Sequence, residues 1–479
     1  MIHVDSEIAT LKRLIIHSPD SGLGKVVPSK AQDWLFEDIV HLKTMRKEEY
    51  DYYIKLLLYF LDPEKVRGKL AEIDHPKNQR NFYKPEHPHF HASDKVMDIE
   101  YLLGDILEDI GIRREIVASI AALEQCSFGL QQTLLKLSPR LLAKTIISGA
   151  LPDERMIFAP VPNFIFTRDI GVTINNHILL NRPAKEARRR ESFIARYVFY
   201  YHPAFESIRE NIIEIADDEQ FFLLDGAERE NRHVTLEGGD IMMVAPNHLL
   251  IGVSERTSPH AANKIIQTLF ERKVVEKISV IRIPPKRDFM HIDTVFTQVK
   301  RNVWVLYGKF SKRNLEERDL LEKFYKKGDE NKIRINQFIK GKSAPREFET
   351  IEDLLDEISQ QDLHSAEPTQ FIYSGNYEFP YSLREQWTDS CNLLALKEGV
   401  VIGYDRNDKT AEAFARHGFR LIKAADLLEQ FEKGLLSPDT LTDTLIMLPS
   451  AELSRARGGS HCMSMPLLRD NVFAHGKFF

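Results

Sequence analysis

Hydrophobic positions along this chain change their period several times, and the changes mark its elements. Leu14 to Ile16 is a short apolar run closed by the turn-rich HSPDSGLGK, which predicts a strand and its exit. Gly22, Gly24 and Lys25 lie in that turn without the spacing of a phosphate loop, so a plain turn is expected there. From about Glu37 to Leu61, Ile39, Leu42, Met45 and Tyr50 recur among charges, the pattern of an amphipathic helix lying on a core. Leu103, Ile106, Leu107 and Ile110, then Ile116, Val117 and Ile120, keep helical spacing, and a helical unit is expected over 63–150.

Beyond Pro160 the pattern becomes short apolar runs, each closed by a polar turn and followed by a helical stretch. HILLNRPAKEARR, HLLIGVSERTSPHAANKI and VVIGYDRNDKTAEAFARHG resemble one another. Their starts at His177, His248 and Val400 lie close to one and two periods of about 75 residues, which predicts a repeated strand, turn and helix module in an α/β fold. Each presents an arginine near its strand end, Arg182, Arg256 and Arg406, where a shared central site could form. Three segments follow: 1–62 as the first part of the α/β fold, 63–150 as the helical unit, and 151–479 as the remainder. Between Lys309 and Gln361 opposite charges mix densely, the texture of a solvated helical insertion, placed at about 309–380.

Composition narrows the function. The chain has 479 residues, with 65 Lys and Arg against 71 Asp and Glu and a net charge of −6, so no global basic field recruits nucleic acid or an anionic membrane. Cys126, Cys391 and Cys462 are too few for a disulfide framework and suit a reducing compartment. The amino-terminal MIHVDSEIATLK lacks the basic and apolar regions of an export signal, and no apolar run approaches the ~20 residues of a membrane span. A cytoplasmic protein with a small-molecule substrate is expected, and a homo-oligomer is left open. His87, His89 and His91 alternate between prolines without a partner carboxylate motif, so a solvated loop is expected there rather than a metal site.

Four segments end strand-like runs with polar residues: PNFIFTRD (162–169), LEGGD (236–240), FMHIDTVFT (289–297) and RGGSHCMSMP (457–466). Together they supply a thiol at Cys462, an imidazole at His291 and carboxylates at Asp169, Glu237 and Asp293. A free thiol, with pKa near ~8.5, is mostly protonated at neutral pH, so a nucleophilic Cys462 needs a cation nearby, either His291 or the substrate. Gly458 and Gly459 permit a tight backbone path and close ligand approach beside it. His291 and Asp293 would share one side of a strand, joining an acid and base to a carboxylate. Three acids in one place require a cation between them. No H-E-x-x-H or C-x-x-C occurs to hold zinc, whereas a bound guanidinium or amidinium matches carboxylates through a planar fork of donors.

PNFIFTRD, LEGGD, GVSERTS, FMHIDTVFT, REQWTD (384–389) and the Cys462 segment resemble, in order, the motifs of the arginine deiminases of the guanidine-modifying (pentein) superfamily. The likeness runs from SEIATLKRLIIHSP to RGGSHCMSMP, with Ile170 where the family usually has proline. It implies a five-bladed α/β propeller of ββαβ modules with a helical insertion after the first. It also implies Cys462 as nucleophile, His291 as acid and base, Asp169 and Asp293 gripping the guanidinium, and Glu237 orienting His291 and substrate. By the same resemblance Asn163, Arg188 and Arg256 hold the substrate α-carboxylate and Arg457 is a further active-site arginine, while Arg189 and Arg190 are expected on a basic helix face. The activity implied is hydrolysis of L-arginine to L-citrulline and ammonia through a covalent S-alkylthiouronium, with no cofactor and no metal. An amidinotransferase, a dihydrolase or a non-catalytic arginine-binding protein are the alternatives.

Overall fold

Five antiparallel strand pairs, each followed by a helix and a strand that returns parallel to the second of the pair, organise the computed structural model, which describes residues 1–36, 38–312 and 333–473. The first unit joins the two ends of the chain. Met465–Arg469 pairs antiparallel with Leu11–Ile16, the helix Asp51–Leu61 follows, and Val96–Asp98 returns parallel. In the second, Gly171–Ile174 and His177–Leu180 precede the helix Arg189–Tyr201 and the strand Ile212–Glu214. The third uses Ile241–Ala245, His248–Val253, the helix Pro259–Glu271 and Lys277–Arg282.

The fourth uses Phe296–Lys300, Val303–Leu306, the helix Ile351–Glu357 and Gln370–Tyr373. The fifth uses Leu394–Lys397, Val400–Tyr404, the helix Asp408–Arg416 and Thr444–Leu448. The fold is mixed α/β, and each of the three sequence repeats falls on the second strand and helix of a unit.

Local chemistry explains why the units form. Every residue of His248–Val253 is buried, as in a strand covered on both faces. The following helix starts where Ser258 Oγ accepts the Ala261 amide at 3.2 Å and Pro259 occupies the first turn, a position that needs no amide proton. Ala261, Ile265 and Leu269, spaced by four, then lie in one apolar cluster with Leu249 and Ile251 of that strand. Burying a side chain the size of Ile265 or Leu269 stabilises the fold by roughly 1.5–3 kcal/mol.

Several expectations change. The longer helices of the stretch 63–150 begin only at residue 99, at Ile99–Ile106, Ile110–Leu123, Phe128–Leu135 and Pro139–Ser148. Before these come the single-turn helix Leu70–Ile73, short turns, and the strand Val96–Asp98 of the first unit. The helix expected from Glu37 begins at Leu42; Glu37 itself lies outside the described residues. Gly22 to Lys25 forms a short turn as expected.

In its described residues the stretch 309–380 belongs to the α/β units rather than to an appended helical insertion. LEERDLLEKFYKKGDENK lies outside the described residues, but Arg334–Ile339 and Arg346–Phe348 extend the sheet of the third unit, and the fourth unit takes its helix and return strand from this stretch. The strand Arg334–Ile339 begins with alternating burial, Ile335 and Gln337 being buried and Arg334 exposed. His91 is likewise buried against Phe90 rather than solvated, and burial lowers its pKa to about 4, which keeps it neutral. Among the described residues no helix is long and apolar enough to cross a membrane.

Candidate active site

Each unit contributes polar residues from the same place, the segment just before its first strand. Asn163 and Asp169 precede Gly171–Ile174, Glu237 and Asp240 precede Ile241–Ala245, and His291 and Asp293 precede Phe296–Lys300. Asp389 and Cys462 precede Leu394–Lys397 and Met465–Arg469. The entry to the first strand and the exit of the second lie at the same end of an antiparallel pair, so Arg188 and Arg256, which follow second strands, come to the same end. One cavity of about 40 Å³ is lined by Asn163, Asp169, Arg188, Glu237, Arg256, His291, Arg457 and Cys462. Asp293 sits behind Cys462. All nine site residues expected from the sequence are therefore brought together.

His291 and Asp293 do not share a strand. His291 is extended and caps a 3-10 turn, Ile292–Thr294, which sends the two side chains to different partners. His291 Nε2 lies 2.9 Å from Glu237 Oε2. Cys462 Sγ lies 3.5 Å from Asp293 Oδ2, which also receives His461 Nδ1 at 2.9 Å. The Cys462 amide donates to Asn392 Oδ1 at 3.0 Å and fixes the backbone at the thiol. Gly458 and Gly459 are required by neighbouring protein atoms as well: a Cβ would come within 2.2 Å of the Phe166 ring at Gly458 and 2.5 Å of the Asn392 carbonyl at Gly459.

Buried acids at this density need cations, and the protein supplies them. Arg188, 3% exposed, places Nη1 2.7 Å from Asp169 Oδ2 and 3.4 Å from Glu237 Oε2, with Nε 2.9 Å from Glu191 Oε2. Arg256 Nη1 is 3.6 Å from Glu237 Oε1. Asp169, Glu237 and His291 offer ligand atoms within 4.8 Å of one another, a spacing that a metal ion would accept, but the Arg188 guanidinium already bridges the two carboxylates. Arg190 is not on an exposed helix face with Arg189: it is buried, 2.5 Å from Glu124 of the helical region. Arg182 pairs with Asp217 and Arg406 with Ser454, both outside the cavity lining, so of the three strand-end arginines only Arg256 reaches the site.

These charges set the titration of the site. Burial opposes the His291 charge, but the Asp169 carboxylate and the bond to Glu237 outweigh it and raise the imidazole to about 10. Burial also opposes the Glu237 charge, yet Arg188, His291 and Arg256 hold that carboxyl far below its ordinary range. For Cys462, burial and the charges of Asp293, Asp169 and Asp389 act together and push the thiol well up. The thiol is thus protonated at neutral pH, and His291 does not offset the acids around it. Burial raises Asp293 as well, but His461 overrides it and keeps the carboxyl ionised.

Residues that sequence reasoning left without a role complete the site. His461 is held between Asp293 and Glu7, with Nε2 3.2 Å from Glu7 Oε2, and Glu7 is also paired with the buried Arg168. Asp240 accepts the Ile292 amide at 3.0 Å and Ser254 Oγ at 2.6 Å, fixing the turn after His291. Asp389 lines the cavity, burial raises it to about 7, and Trp387 stacks 3.5 Å from the Arg457 guanidinium. Asp240 and Asp389 end LEGGD and REQWTD, and that repeated placement was the available signal. Asn163 donates to the Trp34 carbonyl at 2.7 Å, and Leu35 covers the cavity beside it.

Residues 115–469 match the family model described as "ADI: Arginine deiminase". The arginine deiminase of Bacillus cereus is 28% identical over 498 residues, covering 98% of this chain and 99% of the relative. That of Staphylococcus aureus (strain Newman) is 29% identical over 496 residues, covering 98% and 99%. Among solved structures, an amidinotransferase from Microseira wollei in the saxitoxin biosynthetic pathway has 12% identity and a TM-score of 0.45, covering 98% of this chain and 97% of that one. DDAH from Pseudomonas aeruginosa, complexed with citrulline, has 18% identity and a TM-score of 0.35, covering 64% and 76%.

Proposed function

The chain belongs to the arginine deiminase family, and we propose that it hydrolyses L-arginine to L-citrulline and ammonia through a thiouronium carried on Cys462. The observation that carries this reading is the cavity itself, where a thiol, an imidazole and carboxylates face one small space. Five ββαβ units presenting equivalent ends to that space support a closed five-bladed arrangement around it. A cytoplasmic location and a small-molecule substrate, without a nucleic-acid or membrane partner, belong to the same reading.

In this reaction Asp169 and Asp293 hold the substrate guanidinium. Asp293 Oδ1 is buried without a hydrogen-bond partner among the described residues, which suits a carboxylate awaiting a donor. The cation reverses the local sign that keeps Cys462 protonated, and Asp293, touching Sγ, is placed to accept the thiol proton. Sulfur then bonds to the guanidinium carbon. His291, charged at neutral pH, delivers a proton to one nitrogen, the carbon–nitrogen bond breaks and ammonia leaves. The neutral imidazole next takes a proton from water as its oxygen attacks the same carbon. The carbon–sulfur bond breaks, citrulline departs and the thiol is restored. Glu237 orients His291 throughout, and Arg188, Arg256 and Asn163 receive the α-carboxylate.

The test is the yield of ammonia and citrulline per L-arginine consumed. One of each supports a deiminase. Two ammonia molecules without citrulline would assign a dihydrolase, and none, with transfer to an added amine, an amidinotransferase.

A further inference from the structure

The guanidinium found on Asp169 is the protein's own. Arg188 caps the helix Arg189–Tyr201 and reaches inward, with the 2.7 Å contact to Asp169 and the 3.4 Å contact to Glu237 made by one nitrogen. Under the proposed function Asp169 is a partner of the substrate's guanidinium, so one carboxylate has two claimants of the same chemistry. The remaining space is about 40 Å³. Arg188 Nη1, 2.7 Å from Asp169 Oδ2, holds the position on that carboxylate that a substrate guanidinium would take, so the two cannot occupy it together.

Displacing Arg188 from Asp169 and Glu237 would leave this buried cation with Glu191 as its one remaining partner among the described residues, which is unfavourable. A substrate guanidinium can replace its charge beside Asp169 and Glu237, but Arg188, left with Glu191, then lacks the second anion it had. L-arginine brings one, the α-carboxylate, and a guanidine with an amine at that end does not.

We infer that Arg188 is a tethered internal competitor for Asp169, released only when the incoming guanidine carries a carboxylate to which Arg188 can transfer. The exchange makes Arg188 a specificity-determining residue twice over: it blocks the guanidinium position against incomplete ligands and binds the carboxylate of complete ones. A group that only held the α-carboxylate would favour L-arginine without excluding anything. An internal competitor also lowers the affinity of agmatine, which is arginine without its carboxylate, because only the fraction of molecules with Arg188 displaced can bind it. This inference rests on the reading of Asp169 as a guanidinium partner.

Calorimetric binding of L-arginine and of agmatine to Cys462→Ala and to Cys462→Ala/Arg188→Met separates the two roles, without any dependence on turnover. The second substitution is expected to weaken L-arginine by about tenfold or more and to strengthen agmatine by about tenfold. Agmatine affinity that is unchanged or lower in the double variant would overturn the competitor role. If the methionine variant does not fold, Arg188→Lys keeps the charge but not the planar fork, and agmatine must still gain. Failure of the proposed function would show elsewhere, as wild-type protein that produces no citrulline.

Discussion

The Cys462 thiol and the His461 imidazole converge on one oxygen of Asp293, at 3.5 and 2.9 Å. The proposed nucleophile therefore shares this carboxylate with a side chain that holds it ionised, and the negative charge is one cause of the raised thiol pKa. Replacing Asp293 by Asn has two expected consequences of opposite sign. Citrulline formation falls by roughly 10²–10³-fold, because one grip on the guanidinium and one fixed charge are lost. The pH midpoint for alkylation of Cys462 by iodoacetamide moves down, because the thiolate no longer faces that charge. An alkylation midpoint that rises or stays put would contradict the assigned electrostatics.

Cys462→Ala removes the only atom assigned to bond with carbon. Citrulline production is expected to stop, while L-arginine binding measured by calorimetry persists. Residual turnover above that of heat-denatured protein would exclude the thiol as nucleophile.

The raised pKa of His291 also couples to stability. Its folded-state value is about 10, against an unfolded value near ~6.5. The stability it contributes is thus fully present below about pH 6.5 and is lost as pH rises toward 10. The fall in melting temperature between pH 7 and 10 is expected to be shallower in His291→Gln than in the wild type. Parallel curves would show that the imidazole is not charged in the folded protein.

Gly239 has no room for a side chain, since a Cβ there would lie 2.5 Å from His291 Nδ1. The obstructing atom belongs to a side chain, so Gly239→Ala is expected to lower turnover by about tenfold or more through a displaced imidazole while the protein still folds. Equal losses of activity and of urea midpoint would point instead to general unfolding.

The parts of this architecture that were legible in the sequence are those written in local pattern. His177, His248 and Val400 each begin a second strand because an apolar run, a polar turn and a helical period follow one another in the chain. Val96–Asp98 was not legible: three residues carry no periodicity, and only pairing with Leu14–Ile16 makes them a strand. The site divides in the same way. Cys462, His291, Asp169, Glu237 and Asp293 stood in motifs, whereas Glu7 acquires its role from His461 and Arg168, partners 454 and 161 residues away. The contact of Arg188 with Asp169 was not legible either, because it depends on which buried acids the fold brings beside that guanidinium.

The covalent step is the centre of the account, and its most direct test is to quench wild-type and His291→Ala protein during incubation with L-arginine and locate bound mass by peptide mass spectrometry. The expected result is an adduct on the Cys462 peptide with the mass of arginine less ammonia, longer-lived in His291→Ala because water attack is slowed. Citrulline formed by the wild type with Cys462 unmodified at every quench time in both proteins would contradict it.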